Sequence, residues 1–276
     1  MKNHPIGVFD SGFGGLTVLR EIARVLPEYD FLYFGDNARA PYGNRSFEII
    51  HMYTLEAVKW LFGQGCPLVI LACNTVSAKA LRTIQQYDLP RIAPDRRVLG
   101  IIRPITEWIG SVSRSKHIGV LATIGTVASH SYEIEIGRYF PEVTVTLEAC
   151  PMWVPLIENN AFDNTGADYF IRKHVEGLFA ADPLIDTVVL GCTHYPLIQE
   201  KIQRYLPAGV QLIVQGEIVA RRLADYLARH PEIACSRQGK REFYTSENPE
   251  VFDRAASLFY GRPVSSSHIQ SGLMNP

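Results

Sequence analysis

The stretch LVILACNTVS, residues 68–77, is an apolar run that ends in a cysteine followed by small polar residues. Its apolar part does not alternate with polar residues, which is typical of a strand buried on both faces. Segments with helical spacing flank the stretch at 47–65 and 78–88. Strands of this kind that alternate with helices form parallel sheets covered by helices, so the stretch predicts an α/β fold.

The same order of strands and helices occurs twice along the chain. IGVFDSG at 6–12 resembles IGVLATIG at 118–125, and VILACNT at 69–75 resembles VVLGCTH at 188–194. In each half the first strand ends in small polar residues, and a later strand ends in a cysteine. This internal similarity predicts two similar doubly wound α/β domains with mainly parallel sheets.

One of the predicted domains is not continuous in sequence. We expect the second domain to span 99–207, with a boundary near LGIIRP at 99–104. The tail at 208–276 is too short for another domain of ordinary size. We therefore expect it to complete the first domain, which begins with 1–98.

The composition is that of an ordinary globular protein: of 276 residues, 47% are hydrophobic and 20% are charged. The formal net charge of -1 favours neither nucleic acid nor an anionic membrane as a partner. No apolar run approaches the roughly 18 residues of a membrane span, and the first residues show no secretory signal. The five cysteines are scattered and form no C-x-x-C motif, which is typical of a reducing compartment. We therefore predict a cytoplasmic protein.

Polar residues at the ends of the predicted strands are the candidate site, because open parallel α/β sheets bind ligands outside the carboxyl ends of their strands. These residues are Asp10 and Ser11, Asp36 and Asn37, Cys73 to Thr75, Thr123, and Cys192 to His194. If the two domains face each other, Cys73 and Cys192 project into one cleft from opposite walls. We expect the active site in that cleft between the domains.

Two opposed thiols suit the inversion of a stereocentre by proton transfer. One group removes a proton from one face of a carbon, another supplies a proton to the opposite face, and the roles exchange in the reverse direction. A thiol has a reference pKa of about 8.5, so its charged and neutral forms are both accessible near neutrality. Asp10 and His194 are acid–base groups that can bias these protons.

Other interpretations of the same residues stay open. Cysteine is among the most buried residue types, so Cys73 and Cys192 are also readable as core residues, and His194 as a core histidine. A metal site built from these three lacks a second pair with ligand spacing, and a redox disulfide lacks a resolving motif. The matching positions of the two cysteines favour catalysis. The cysteines without such a setting are interpreted as structural: Cys66, Cys150 and Cys235.

Two glycine-containing turns add candidate binding groups. DSGFGG at 10–15 predicts a tight turn between a strand and a helix, and its spacing does not match the dinucleotide motif G-x-G-x-x-G. Its Asp10 and Ser11 offer an acceptor and a hydroxyl suited to an ammonium group. PYGNRS at 41–46 predicts a turn in which the backbone of Gly43 can donate to a carboxylate.

Six motifs in a fixed order make the sequence similar to the glutamate racemases of the aspartate/glutamate racemase family. They are IGVFDSGFGGLTVL, YFGDNARAPYG, ACNT, GVLATIGTVAS with a nearby tyrosine, VPLIE and GCTHYPL, between Ile6 and Leu197. The resemblance implies two doubly wound domains and an enzyme that interconverts L- and D-glutamate without pyridoxal phosphate or metal. It also implies the supply of D-glutamate for peptidoglycan, hence a role in cell-wall biogenesis, and a homodimer.

The resemblance further implies roles for individual residues. Cys73 and Cys192 are the implied acid/bases on opposite faces of the glutamate α-carbon, assisted by Asp10, Glu158 and His194. The implied substrate contacts are Asp10, Ser11, Tyr42, Gly43, Asn74, Thr75, Thr193 and His194. Two rivals stay open: an aspartate racemase with the same thiol chemistry, and a protein that acts by binding alone.

Overall fold

The computed structural model describes residues 4–269, so the ends of the predicted first domain, 1–3 and 270–276, lie outside the described residues. Its strands are β1 Ile6–Asp10, β2 Phe31–Gly35, β3 Leu68–Leu71, β4 Arg97–Gly100, β5 His117–Ala122, β6 Thr144–Ala149, β7 Thr187–Gly191, β8 Gln211–Ile213, β9 Arg241–Thr245 and β10 Ser266–His268. Its α-helices are α1 Gly15–Val25, α2 Phe47–Gly63, α3 Asn74–Lys79, α4 Leu81–Thr83, α5 Leu89–Ile92, α6 Arg103–Val112, α7 Ile124–Ala128, α8 Ser131–Tyr139, α9 Trp153–Glu158, α10 Thr165–Ala181, α11 Gln199–Tyr205, α12 Gln215–Arg229 and α13 Pro249–Tyr260. Short 3₁₀ segments lie at Asn37–Arg39 and Tyr195–Ile198, and a π segment lies at Ile84–Asp88.

The strands form two sheets in two compact units. The first unit contains the residues up to Ile101 and those from Gly216 onward, and the second unit contains Ile102–Gln215. Every strand pair in both sheets is parallel among the described residues. Strands β1, β2, β3 and β7 are buried along their whole length, as their unalternating apolar sequences predict. The predicted class, two α/β units with parallel sheets, is confirmed.

The two sheets share one order of strands. The first sheet runs β10-β9-β2-β1-β3-β4, and the second runs β6-β5-β7-β8. The block β2-β1-β3-β4 therefore matches the whole second sheet strand for strand, which accounts for the internal similarity of the sequence. In this match β3 and β7 are equivalent strands. Cys73 follows the first of them and Cys192 the second.

The short strands β4 and β8 show to which sheet the segments at the predicted domain boundaries belong. β4 pairs with β3, so residues 99 and 100 belong to the first sheet, although the predicted boundary puts them in the second domain. β8 pairs with β7 in the second sheet, although the predicted tail from residue 208 belongs to the first domain. β4 and β8 lack a continuous buried apolar run, so pairing with a neighbouring strand decides their place. Later in the tail, β9 pairs with β2 and extends the first sheet.

Several helices begin at residues whose side chains cap them, as the composition of their first turns favours. Ser46 Oγ accepts from the N–H of Ile49 at the start of α2, at 3.4 Å. Asn164 caps α10 in the same way, accepting from the N–H of Ala167 at 3.0 Å. Within residues 4–269, none of the helices combines the length and the apolar character needed to cross a membrane.

Candidate active site

Cys73 lies just beyond the end of β3, with its thiol beside the hydroxyl of Ser11. The Cys73 Sγ and the Ser11 Oγ are 3.5 Å apart. Strands β1 and β3 pair in parallel, so the residues that follow them meet at the same edge of the sheet. Only 7% of Cys73 is exposed. The structure thus brings two predicted site residues into direct contact.

Asp10 ends β1 and is fully buried. Its Oδ1 accepts a hydrogen bond from the N–H of Gly12 at 2.8 Å, which closes the tight turn predicted from the glycines. Helix α1 begins at Gly15, where an added Cβ would lie 2.6 Å from the Cβ of Asp10 and 3.1 Å from that of Ala72. Glycine is therefore required at position 15, because the helix packs directly against the turn.

Tyr33, in β2, also contacts this turn, although the sequence does not mark it as a site residue. Its hydroxyl donates to the Gly12 carbonyl O at 2.9 Å. Burial raises the pKa of Tyr33 well above its usual value, and neighbouring Asp10 and Cys73 raise it further. The hydroxyl therefore stays a donor at neutral pH. The one sequence signal for this role is a hydroxyl within the otherwise apolar run FLYFG.

The predicted turn around Gly43 is present, with the N–H of Arg45 donating to the Tyr42 carbonyl O at 3.1 Å. Tyr42 is buried in the same apolar cluster as Cys73. Its hydroxyl donates to Asp36 Oδ2. Burial, together with the Asp36 carboxylate, raises the pKa of Tyr42 far above its usual value. The phenol hydroxyl of Tyr42 is therefore bonded to Asp36, while Tyr42 belongs to the buried cluster that includes Cys73.

Asn74 and Thr75 are the first residues of α3, and both are buried. The helix follows Cys73 at once, since the Cys73 carbonyl O accepts from the N–H of Ser77 at 2.9 Å. The Ser77 hydroxyl donates to the Leu71 carbonyl O at 2.8 Å and ties the helix to the end of β3. The three residues of the CNT motif therefore sit at a braced junction of strand and helix.

Cys192 has the equivalent place in the second unit, directly beyond β7. Its Sγ lies 3.8 Å from Nδ1 of His194. The Nε2 of His194 lies 2.9 Å from Oε1 of Glu158, the last residue of α9. Thiol, imidazole and carboxylate thus form a continuous hydrogen-bonded series. All three residues are predicted site residues.

His194 carries a strongly raised pKa. Burial acts to lower it, but the hydrogen bonds to Cys192 and Glu158 outweigh burial and raise the pKa of His194 to about 10. The imidazole is therefore protonated near neutrality and donates from both nitrogens. The charged imidazole therefore lies beside the Cys192 sulfur.

Aromatic packing supports the turn that carries Thr193, which is itself buried. Next to His194, the Tyr195 hydroxyl donates to the Cys150 carbonyl O at 3.3 Å. The Tyr195 ring packs against Trp153 with the ring centroids 4.8 Å apart. Trp153 begins α9, the helix that ends in Glu158. This packing fixes the carboxylate relative to the turn after β7.

The other three thiols have a different environment. Burial raises the pKa of Cys66 to about 12 and that of Cys235 to about 11. Burial also raises the pKa of Cys150 well above its usual value. These thiols stay protonated near neutrality, which suits the structural interpretation of all three.

Each unit gathers its own share of the predicted site residues. In the first unit Ser11 touches Cys73, Asp10 closes the adjoining turn, and the Tyr42 turn brings in Gly43. In the second unit Glu158, Cys192 and His194 are directly linked. Across residues 4–269, no group of three or more histidine, cysteine, aspartate or glutamate side chains is arranged to hold a metal ion.

Comparison with known proteins identifies the family of the chain. The Asp/Glu/Hydantoin racemase family matches residues 6–223. The chain belongs to this family. The membership confirms the resemblance that the six sequence motifs predict, and it makes the protein a racemase-family enzyme.

Relatives within the family include glutamate racemases of known sequence and structure. The chain is 42% identical to the glutamate racemase of Geobacter metallireducens over 259 residues, which cover 93% of this chain and 92% of the relative. It is 32% identical to glutamate racemase isoform RacE1 from Bacillus anthracis, with a TM-score of 0.88 over 98% of this chain and 99% of that one. It is 30% identical to the glutamate racemase of Francisella tularensis solved with D-glutamate, with a TM-score of 0.87 over 99% of both chains.

Proposed function

We propose that the protein is a glutamate racemase that interconverts L- and D-glutamate by proton transfer at the α-carbon, with Cys73 and Cys192 as the two acid/bases. The observation that carries the proposal is the position of the cysteines. They follow equivalent strands of a four-strand block that the two sheets share, and each thiol contacts a polar partner. The names of the relatives, glutamate racemases that align over nearly the whole chain, supply the substrate.

In the proposed reaction one cysteine acts as a thiolate and the other as a thiol. The thiolate takes the α-proton, forming an S–H bond as the Cα–H bond breaks. The electron pair of that bond stays on the α-carbon, which becomes a planar carbanion whose charge is delocalised into the adjacent carboxylate. The second thiol then donates its proton to the opposite face of the α-carbon. The roles of the sulfurs are exchanged at the end, so the reverse reaction begins from the product state.

In this mechanism Cys192 is assisted by a charged histidine. His194, held protonated by Glu158 and Cys192, stabilises the Cys192 thiolate before the proton is taken from the substrate. The Cys73 Sγ lies 3.5 Å from the Ser11 Oγ, and Cys73 directly precedes the first turn of α3. The Ser11 hydroxyl and the N–H groups of that turn can stabilise a thiolate there.

Substrate binding follows from the groups beside the thiols. We assign the ammonium of glutamate to Asp10 and Ser11 and a carboxylate to the backbone of the Gly43 turn. The buried polar residues that complete the proposed substrate contacts are Tyr42, Asn74, Thr75, Thr193 and His194. We further propose that the protein works in the cytoplasm as a homodimer, without pyridoxal phosphate, and supplies D-glutamate for peptidoglycan.

The test is racemisation of each glutamate enantiomer by the purified protein in deuterated water, followed by optical rotation and by mass spectrometry of the product. We expect the product enantiomer to carry deuterium at the α-carbon. Cys73→Ser and Cys192→Ser should each lower the rate by about 10²-fold or more, since each removes an acid/base group. Cys235→Ser is the control and should leave the rate unchanged.

Two results would contradict the proposal. If either Cys73→Ser or Cys192→Ser racemised glutamate at the wild-type rate, the two-base assignment would be wrong. If aspartate were turned over faster than glutamate in the same assay, the aspartate alternative would replace the substrate assignment.

A further inference from the structure

A buried ionic network lies beside the proposed substrate turn of the first unit. Asp36 follows β2, and its side chain is fully buried. Its Oδ1 accepts from the Ser246 hydroxyl at 2.7 Å, and its Oδ2 accepts from the Tyr42 hydroxyl. The N–H of Asp36 donates to the Asp10 carbonyl O at 3.1 Å. A buried carboxylate is stable only where charge and hydrogen bonds compensate it, so its cationic partner is decisive.

Arg39 is that cationic partner. Its Nε donates to Asp36 Oδ2 at 2.6 Å, and its Nη1 donates to Glu56 Oε2 at 2.6 Å. The guanidinium also lies over the ring of Tyr53, with 4.0 Å between its carbon and the ring centroid. Burial works to lower the pKa of Arg39, but Glu56 and Asp36 outweigh it and raise that pKa. The side chains of Arg39 and Asp36 are 10% and 0% exposed, and that of Glu56 is 29% exposed. The Asp36 end of the network is therefore closed to solvent, and the Glu56 end is partly open.

Aromatic packing links this network to the buried cluster that includes Cys73. Tyr53 packs against Tyr42 with ring centroids 5.6 Å apart. Tyr42 and Cys73 belong to one buried cluster, and Cys73 lies close enough to add to the raised pKa of Tyr42. Arg39 therefore holds Tyr42 from two sides, through the Asp36 carboxylate and through the Tyr53 ring.

We propose that Arg39 is a positioning residue that fixes the turn of Tyr42 and Gly43 on the buried cluster that includes Cys73. The inference rests on the proposed function for the meaning of that turn, since the turn carries the groups assigned to the substrate. Arg39 itself touches Asp36, Glu56 and Tyr53 rather than the reacting atoms. Its effect on catalysis is exerted through the position of Tyr42.

The chemistry of the guanidinium explains why arginine stands here. One planar group forms two separate hydrogen bonds in a fixed geometry and stacks on an aromatic ring at the same time. Lysine can keep the positive charge near Asp36 but cannot bridge to Glu56 and stack on Tyr53 together. Methionine keeps much of the apolar stem and leaves the carboxylate of Asp36 buried without a cation.

The experiment compares Arg39→Met and Arg39→Lys with Arg24→Met. Arg24 is an exposed residue of α1 with its own carboxylate partner, so it is a matched control for the same substitution. For Arg39→Met we expect the KM for both glutamate enantiomers to rise about tenfold while kcat changes less, because ground-state contacts are lost and both thiols remain. Arg39→Lys should fall between Arg39→Met and wild type, and Arg24→Met should match wild type.

A loss of folded enzyme gives the opposite pattern, since fewer active molecules lower kcat and leave KM unchanged. That pattern, or wild-type kinetics in Arg39→Met, would overturn the inference. If Arg39→Met does not fold, Arg39→Lys carries the same comparison. The KM of Arg39→Lys must then rise above that of wild type for the inference to stand.

A second readout does not depend on turnover. The rate at which iodoacetamide alkylates Cys73, followed by peptide mass spectrometry, reports how closely the buried cluster of Tyr42 and Cys73 is packed. We expect faster alkylation of Cys73 in Arg39→Met than in wild type and Arg24→Met, and equal rates would overturn the inference. If the wild type fails to racemise glutamate, the proposed function falls, whereas the positioning of the turn by Arg39 is still decided by alkylation.

Discussion

His194 shows how one residue acquires its charge from its surroundings. A histidine has a reference pKa of about 6.5, and contacts with Cys192 and Glu158 raise the pKa of His194 to about 10. Between these two values the folded chain binds a proton that the unfolded chain has released. The contribution of His194 to stability is therefore complete below about pH 6.5 and is lost as the pH rises toward 10.

Glu158→Gln should reduce that pH dependence, because the amide keeps the shape of the side chain and removes its charge. Urea unfolding at several pH values measures how far the free energy of unfolding falls between pH 6.5 and 10. This fall should be about 1–3 kcal/mol smaller in Glu158→Gln than in wild type. The imidazole signals of His194 should titrate at a lower pH in the variant. Glu133→Gln, which alters the exposed pair with His130, is the control and should behave as wild type. If the free energy of unfolding fell equally with pH in wild type and Glu158→Gln, the charged pair of His194 and Glu158 would be contradicted.

At the scale of elements, the first residue of α1 packs directly against the turn after β1. Gly15→Ala would place a Cβ 2.6 Å from the Cβ of Asp10, an atom next to the backbone that cannot move aside. We expect the free energy of unfolding to fall by about 1–3 kcal/mol, the usual cost of overpacking. We also expect glutamate turnover to fall, since Asp10 shifts with the turn.

Gly63→Ala is the matched control for this prediction, because an added Cβ at Gly63 meets no atom within 4 Å. Gly63 ends α2 in the same unit, and alanine there should leave stability unchanged or raise it by up to about 1 kcal/mol. Urea unfolding of both variants decides the matter. Equal stability of Gly15→Ala and Gly63→Ala would show that the packing of α1 on Asp10 is not limiting.

For the whole molecule, the five cysteines should fall into two classes of reactivity. The raised pKa values of Cys66, Cys150 and Cys235 leave these thiols protonated at pH 8, whereas in the proposed mechanism Cys73 and Cys192 act as the thiolate in turn. Partial alkylation of the native protein, read by peptide mass spectrometry, should label Cys73 and Cys192 first. Added D-glutamate should protect these two alone. Earlier labelling of Cys235, which is partly exposed, would contradict the ranking.

Most of the fold was predictable because it depends on local patterns. The buried runs of β1, β3 and β7 carry no polar residue that alternates with the apolar ones, so their parallel pairing follows from residue type alone. The match between the halves could be read from two short repeats, and the shared strand order explains it. The strands β4, β8 and β10 could not be predicted in the same way, because they lack the continuous buried apolar run that marks β3.

The sequence by itself determined the fold class, the repeat, the family and the candidate thiols, since each of these is written in residue types at short spacing. Tertiary structure decided which of the candidate groups contact those thiols and one another. Glu158 reaches His194 across 36 residues, and Ser11 reaches Cys73 across 62. Arg39 likewise bonds to Asp36 and Glu56 and contacts Tyr42 indirectly only because helix α2 packs on the sheet. Charge, burial and hydrogen bonding are properties of neighbours in space, and neighbours in space are set by packing over distances that local sequence does not encode.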